Sequence, residues 1–196
     1  IRVNALKISR DDLLKRWAPL YRVRACKYSS CGIVFDQKIN FFILDEFKKG
    51  YFEIQDEGSQ LLATLAQVKP GQSVMDYCAG AGGKSLAIAP LMQGKGQLYL
   101  HDIRTHALFE ARKRLCRAGI ENSQIVKSDA PHLKKLKKKM DWVFVDAPCS
   151  GSGTLRRNPD MKWRFGKESL ERLIKEQRHI FERALSFMKP GGRIVY

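Results

Sequence analysis

Two short segments hold residue types that can do chemistry. The first, Asp146-Ala-Pro-Cys-Ser-Gly-Ser-Gly153, follows the apolar run Trp142-Val-Phe-Val145. A cysteine on a glycine-rich loop can be exposed and steered, whereas one on a helix, such as Cys116, is expected to be a small buried hydrophobe. The second is Asp76-Tyr-Cys-Ala-Gly-Ala-Gly-Gly-Lys-Ser85, whose glycines let backbone approach a ligand closely. One reaction uses both segments: methylation of cytosine at C5. That carbon is too weak a nucleophile to attack a sulfonium methyl group unless a thiolate first adds at C6. The methyl then transfers, the C5 proton leaves and the thiol is eliminated. The chemistry needs a cysteine, a group on the N3 and exocyclic-amine side of the base, and a bound methyl donor. On residue types alone, Cys149 supplies the first and Asp146 the second. Lys84, Arg156 and Arg157 are placed to lower the thiol pKa or to hold phosphates.

The elements that must position these residues alternate. Ser73–Asp76, Gln97–His101, Gln124–Lys127, Trp142–Val145 and Arg193–Tyr196 read as strands. Between them, 84–92, Thr105–Ala118 and Glu168–Met188 read as helices, and Pro190-Gly191-Gly192 as the turn into the last strand. This pattern predicts an α/β fold with a mostly parallel sheet covered by helices on both faces. Asp76, Asp102, Asp129 and Asp146 fall at or just past four strand ends, where open sheets of this kind bind ligands. Ahead of the sheet, Ser59–Val68 reads as a helix capped by Ser59, and 1–50 as a small basic α+β unit. That unit has strands at Gly32–Phe35 and Asn40–Leu44 and a short helix at Asp11–Trp17. Residues 51–196 then form the larger domain.

The glycine loop has three functional readings. A dinucleotide loop, G-x-G-x-x-G, has Ser85 at its third glycine position. A phosphate-binding G-x-x-x-x-G-K-[ST] loop has Cys78 at its first glycine position, and Trp142–Asp146 could pass as its metal-binding strand. An S-adenosylmethionine loop leaves a carboxylate at the second strand end for the ribose hydroxyls and one after the third strand for the adenine amine. Asp102 and Asp129 occupy those positions, and only this reading employs both.

The chain has 196 residues, 36 Lys and Arg against 20 Asp and Glu, and a net charge of +16. A core can form, which excludes disorder, and no apolar run reaches membrane-spanning length. Residues 1–50 carry a net +6, 51–126 a net +1 and 127–196 a net +9, with five Lys in the six residues 134–139. Two basic flanks around a neutral centre point to a polyanion, nucleic acid before an acidic membrane surface. Cys26 and Cys31, spaced C-x4-C with no further paired ligands, argue against zinc, and no metal is expected. Five cysteines without a disulfide spacing suit a reducing, cytoplasmic protein. Ile1–Lys7 is too short and too polar to be a signal peptide, and the first residue is not Met, so a fragment is expected.

Taken together these segments resemble the RNA 5-methylcytosine methyltransferases of the Sun/Nop2/RsmB family, nearest the bacterial ribosomal RNA branch. Arg2-Val-Asn-Ala-Leu-Lys7 resembles the R-x-N-x-L-K segment that opens the family's small RNA-binding subdomain. Phe52-Glu-Ile-Gln-Asp-Glu-Gly-Ser59 resembles the stretch leading into the catalytic domain. Asp76–Ser85 resembles the cofactor loop D-x-C-A-x-x-G-G-K-T, Asp146–Gly153 resembles D-A-P-C-S-G-x-G, and Arg156–Trp163 resembles R-R-x-P-D-x-K-W. The resemblance implies a class I, Rossmann-like methyltransferase fold. It implies S-adenosylmethionine held by Cys78, Ala79, Gly80, Ala81, Gly82, Gly83 and Lys84, with Asp102 on ribose, Asp129 near adenine and Asp146 on cofactor and cytosine. Lys84 would also reach the target nucleotide. RNA, ribosomal RNA before transfer RNA, would be met by Arg2, Asn4, Lys7, Arg156, Arg157 and Lys162. Single-stranded or flipped-out cytosine is the accessible form. Core packing is expected for the Trp163 and Phe165 rings, with base stacking as the alternative. A monomer is expected.

The resemblance also changes the role of Cys149. In this family a second cysteine, in a T-C-S segment after the fifth strand, attacks C6, and the cysteine corresponding to Cys149 assists product release. The sequence ends within that strand at Tyr196, and none of its other cysteines stands there. The fragment is therefore expected to bind cofactor and turn over poorly. A catalytically silent RNA-binding module is the alternative, and a P-loop NTPase a remote one.

Overall fold

Five short apolar segments pair side by side into one parallel sheet. They are β5 (Ser73–Asp76), β6 (Gln97–His101), β7 (Ser123–Val126), β8 (Met140–Phe144) and β9 (Met188–Val195), in the order β7-β6-β5-β8-β9. In this computed structural model residues 1–156, 158–164 and 166–196 are described, the Arg164 side chain excepted. Alternation along the strands divides the core in two. Val74, Leu98, Leu100, Trp142 and Phe144 face one side and pack against α3 (Glu57–Leu65), α4 (Gly83–Met92) and α5 (Thr105–Ala118). Met75, Val126, Val143 and Val145 face the other, under Leu133, Leu136, Ala184 and Phe187. Ala184 lies on α7 (Lys167–Leu185), and both leucines lie on a 3-10 helix, Pro131–Leu136. In α5 the buried residues Ala107, Leu108, Ala111, Leu115 and Ala118 recur at helical spacing, and Gly119 ends the helix in the left-handed region at φ 75°.

Strand order reverses around β5, so the crevice beyond its carboxyl end is the topological switch point. The small unit comprises α1 (Arg10–Trp17), α2 (Asp45–Lys48) and two antiparallel pairs. One pair joins β1 (Arg2–Val3) to β4 (Phe52–Glu53), and the other joins β2 (Val23–Ala25) to β3 (Ile33–Phe35). Val3, Leu13, Trp17, Ile33 and Phe52 form its core. Trp17 meets Phe35 and Phe52 edge-on at centroid distances of 5.1 and 5.4 Å.

Three expectations are corrected. Asn40–Leu44 is not a strand: Phe41–Ile43 is a 3-10 turn, capped by the Asn40 side chain, with Phe42 and Ile43 exposed. The helix expected from Ser59 begins at Glu57, and the Asp56 carboxylate caps it by accepting from the Gly58 N–H at 3.0 Å. Pro190-Gly191-Gly192 is no turn before β9 but an irregularity within it, where the register against β8 shifts. A Cβ at Gly192 would lie 2.8 Å from the Met140 carbonyl oxygen, so only glycine lets the strands close there. Among the described residues no helix is long and apolar enough to cross a membrane.

Candidate active site

The chain leaves β5 at Asp76 and reaches α4 through the glycine loop. Three backbone bonds tie that loop down: Tyr77 N–H to Phe144 O at 2.8 Å, Ala79 N–H to His101 O at 2.9 Å, and Gly82 N–H to Ala79 O at 2.8 Å. Gly80 and Gly82 have φ of 51° and 78°, a region that favours glycine. A Cβ at Gly82 would also stand 3.2 Å from the Ala111 Cβ on α5.

Asp102 follows β6 and is 5% exposed. Its Oδ2 accepts the Gly80 N–H at 2.8 Å, its Oδ1 accepts the Arg104 N–H at 2.9 Å, and the Arg104 guanidinium reaches both oxygens at 3.0 Å. Burial opposes its ionisation, but the Arg104 and Gly80 bonds outweigh burial and hold its pKa below the usual carboxylate range. Across the loop, the Lys84 ammonium pairs with Asp146. Cys78 lies between these groups. Burial first, and then the Asp76, Asp102 and Asp146 carboxylates, push its thiol up to about 12, so Cys78 stays protonated.

Cys78, Asp102 and Asp146 share one cavity of about 500 Å³. Cys78, Asp102, Ile103, Ser128, Asp146 and Pro148 line it from the strand ends, and Glu176, His179, Ile180 and Arg183 of α7 line it from above. Apolar walls with three carboxylates and a hydroxyl suit a nucleoside carrying a positive charge, and the glycine loop leaves room for its backbone to approach one. S-adenosylmethionine has that chemistry, so the residues present fit it. Asp129 departs from expectation: it lines a neighbouring cavity with Lys134, Lys137 and Arg183 and is not among the residues lining the Asp102 cavity.

Asp76 is a structural acid. It is 1% exposed, its Oδ2 accepts from the Ser85 hydroxyl at 2.7 Å, and its Oδ1 has no partner among the described residues. Burial raises its pKa to about 6. A folded-state pKa above the unfolded value means that the favourable contribution is complete below pH ~4 and is lost as pH rises through ~6. Asp76→Asn buries no charge. Its stability relative to wild type should therefore rise by about 2–3 kcal/mol between pH 4 and pH 7.5, read by urea unfolding at both values. A pH-independent difference would contradict this reading of Asp76.

Cys149 is exposed, and Gln177 on α7 fixes its loop by donating from Nε2 to the Pro148 carbonyl at 2.8 Å. Arg156 and Lys162 are exposed nearby. The Lys162 ammonium lies 4.7 Å from the centre of the Trp163 ring. That ring is 79% exposed, not packed in the core as expected. Arg157 and Phe165 lie outside the described residues. Cys116 is likewise exposed, contrary to expectation, because position 116 falls outside the buried stripe of α5.

Among the expected RNA contacts of the small unit, Arg2 and Asn4 are the largest correction, whereas Lys7 is exposed. Arg2 and Asn4 are 5% and 4% exposed and face inward. Asn4 Nδ2 donates to the carbonyls of Gly50 and Ala118 at 3.0 and 2.9 Å. Lys7 Nζ donates to those of Lys49 and Arg117, both at 2.7 Å. Arg2 Nε donates to Gln55 Oε1 at 2.6 Å. Arg2-Val-Asn-Ala-Leu-Lys7 is therefore a joint that satisfies the terminal carbonyls of α5. Sequence reading missed Arg104, Gln177 and the α7 face. Positions 176, 179, 180 and 183 have the spacing of one helical face, which was the available signal.

A family model described as 16S rRNA methyltransferase RsmB/F matches residues 63–196. Probable ribosomal RNA small subunit methyltransferase B of Synechocystis sp. is 31% identical over 200 residues, covering 100% of this chain and 45% of its own length. Ribosomal RNA small subunit methyltransferase F of Aeromonas salmonicida is 31% identical over 205 residues, covering 100% and 43%. The chain thus spans less than half the length of these curated relatives. The crystal structure of a methyltransferase homolog protein from Pyrococcus horikoshii matches with a TM-score of 0.85 and 31% identity, over 100% of this chain and 62% of that one. The fold is the Rossmann-like fold of S-adenosylmethionine-dependent methyltransferases, and the P-loop and dinucleotide readings of residues 76–85 fall with that finding.

Proposed function

Because the chain belongs to the 16S rRNA methyltransferase RsmB/F family, whose members depend on S-adenosylmethionine, we propose that it is the cofactor-binding part of an enzyme that methylates cytosine C5 in ribosomal RNA through a cysteine adduct at C6. One observation carries this reading. Asp102, held by the Gly80 N–H, and Asp146, held by Lys84, line the same cavity, at the strand ends that also bear the Cys149 loop. Residues 78–84 and Asp102 would hold the cofactor, and Asp129, on the neighbouring cavity, stands apart from this set. The cofactor supplies an electrophilic methyl group. The chain's own groups receive and orient the base. Asp146, held by Lys84, faces the amine side of cytosine, and its exposure leaves it open to a base from solvent. Cys149, exposed on a loop that Gln177 fixes, is placed to act in release of the product. Arg156, Lys162 and the open Trp163 ring form the RNA-facing edge. The protein acts as a monomer in the cytoplasm, with transfer RNA as the lesser substrate.

RNA labelled with tritium at cytosine C5, incubated with the full-length enzyme and S-adenosylmethionine, tests this. Methylation at C5 must expel that hydrogen, so tritium should appear in solvent in step with methyl incorporation. Methyl incorporation with the tritium retained would place the reaction at an amine or a ribose hydroxyl and end the C5 proposal.

A further inference from the structure

Four buried or half-buried polar groups, Arg2, Gln55, Glu53 and Arg114, lie between the small unit and the glycine loop. Gln55 takes the Arg2 Nε–H on its Oε1 at 2.6 Å and donates from Nε2 to the Gly83 carbonyl at 3.2 Å. Glu53, 4% exposed, accepts Arg114 Nε and Nη2 on its Oε2 at 3.2 and 2.9 Å, and Arg117 Nη2 on its Oε1 at 2.5 Å. Arg114 then donates from Nη1 to the Ala81 carbonyl at 2.8 Å. Two relays therefore start in the joint and end on loop carbonyls that flank Gly82.

Burying an arginine and a glutamate costs solvation, and apolar contact alone would join two units at less cost. Polar relays add direction. Peptide groups are planar, so holding the Ala81 carbonyl also sets the Gly82 N–H, and holding the Gly83 carbonyl sets the Lys84 N–H. Gly82 sits in the left-handed region, and Lys84 carries the ammonium that pairs with Asp146. The Ala79 carbonyl already holds the Gly82 N–H at 2.8 Å, and the relays restrain the same peptides from their carbonyl side. The fork of Arg114 is needed to serve Glu53 and Ala81 at once, a geometry that an ammonium cannot reproduce.

We infer that Arg2, Gln55, Glu53 and Arg114 are positioning residues that brace the glycine loop from the small unit and thereby set the affinity of the cofactor site. The inference rests on the proposed reading of that loop as the cofactor loop. It also gives the Arg2 position a task other than RNA contact.

Two variants test it. Gln55→Glu keeps the acceptor for Arg2 but turns a carboxylate oxygen toward the Gly83 carbonyl. Arg114→Lys keeps the charge but not the fork. Amide hydrogen exchange on the unliganded protein should show Gly82, whose N–H the Ala79 carbonyl accepts, exchanging about fivefold faster in both variants, the worth of one hydrogen bond, with the central strands unchanged. Affinity for S-adenosylhomocysteine should fall by a similar factor, about fivefold. Unchanged loop exchange in both variants overturns the inference. So does exchange that quickens uniformly along the chain, since that marks a purely structural joint. If the wild type fails to bind S-adenosylhomocysteine, the cofactor reading falls and with it the link to affinity, while loop exchange still reports whether the brace exists.

Discussion

Asp102→Ala should weaken binding of S-adenosylmethionine by about a hundredfold or more, because two charge-assisted hydrogen bonds to a ribose are lost at about 1.5–3 kcal/mol each. Asp102 has no surface task to confuse the result. Its carboxylate is almost wholly buried and accepts from the Gly80 amide and Arg104. Alanine removes the proposed ribose acceptor and leaves the Gly80 N–H and the Arg104 guanidinium without their acceptor at the rim of the cavity. Asp102→Asn keeps the shape and one acceptor and should fall between the two. Equilibrium dialysis with labelled cofactor reads the affinities. An Asp102→Ala protein that stays folded and binds within threefold of wild type would remove Asp102 from the site.

The second large effect is chemical. At pH 8 the Cys78 thiol should alkylate roughly a thousandfold more slowly than an ordinary accessible cysteine, since a pKa of about 12 leaves only ~0.01% thiolate. Iodoacetamide followed by peptide mass spectrometry should find Cys116 and Cys149, both exposed, labelled first, and Cys78 last among the loop cysteines. Labelling of Cys78 as fast as Cys149 in the folded protein would mean that the loop is not held as described. Cys78 thus contributes shape to the pocket and no nucleophile, although it shares the glycine loop with Lys84.

The sheet was legible because its strands are short apolar runs separated by regular helical stripes, and β6 and α5 have the bounds that the sequence predicts. Element ends were less legible where tertiary contacts decide them. The Asp56 carboxylate, not the Ser59 hydroxyl, caps α3, and the β9 irregularity depends on Met140 of a different strand. That Asp102 and Asp146 come to one cavity was legible because residue type and strand-end position coincide there. Asp129 shows the limit: a strand-end position does not say into which of two adjacent cavities the residue opens. Arg2 and Asn4 show another. A basic or amide side chain in a basic segment looks like an RNA contact until the carbonyls of Ala118 and the side chain of Gln55 are found beside it. Those partners lie 114 and 53 residues away, beyond the reach of any local pattern.

The most direct test of the central claim is a calorimetric titration of the chain with S-adenosylhomocysteine, run beside one with ATP and Mg²⁺. One saturable site for S-adenosylhomocysteine and no heat of binding from ATP are expected. A folded chain that binds Mg-ATP and ignores S-adenosylhomocysteine would contradict it.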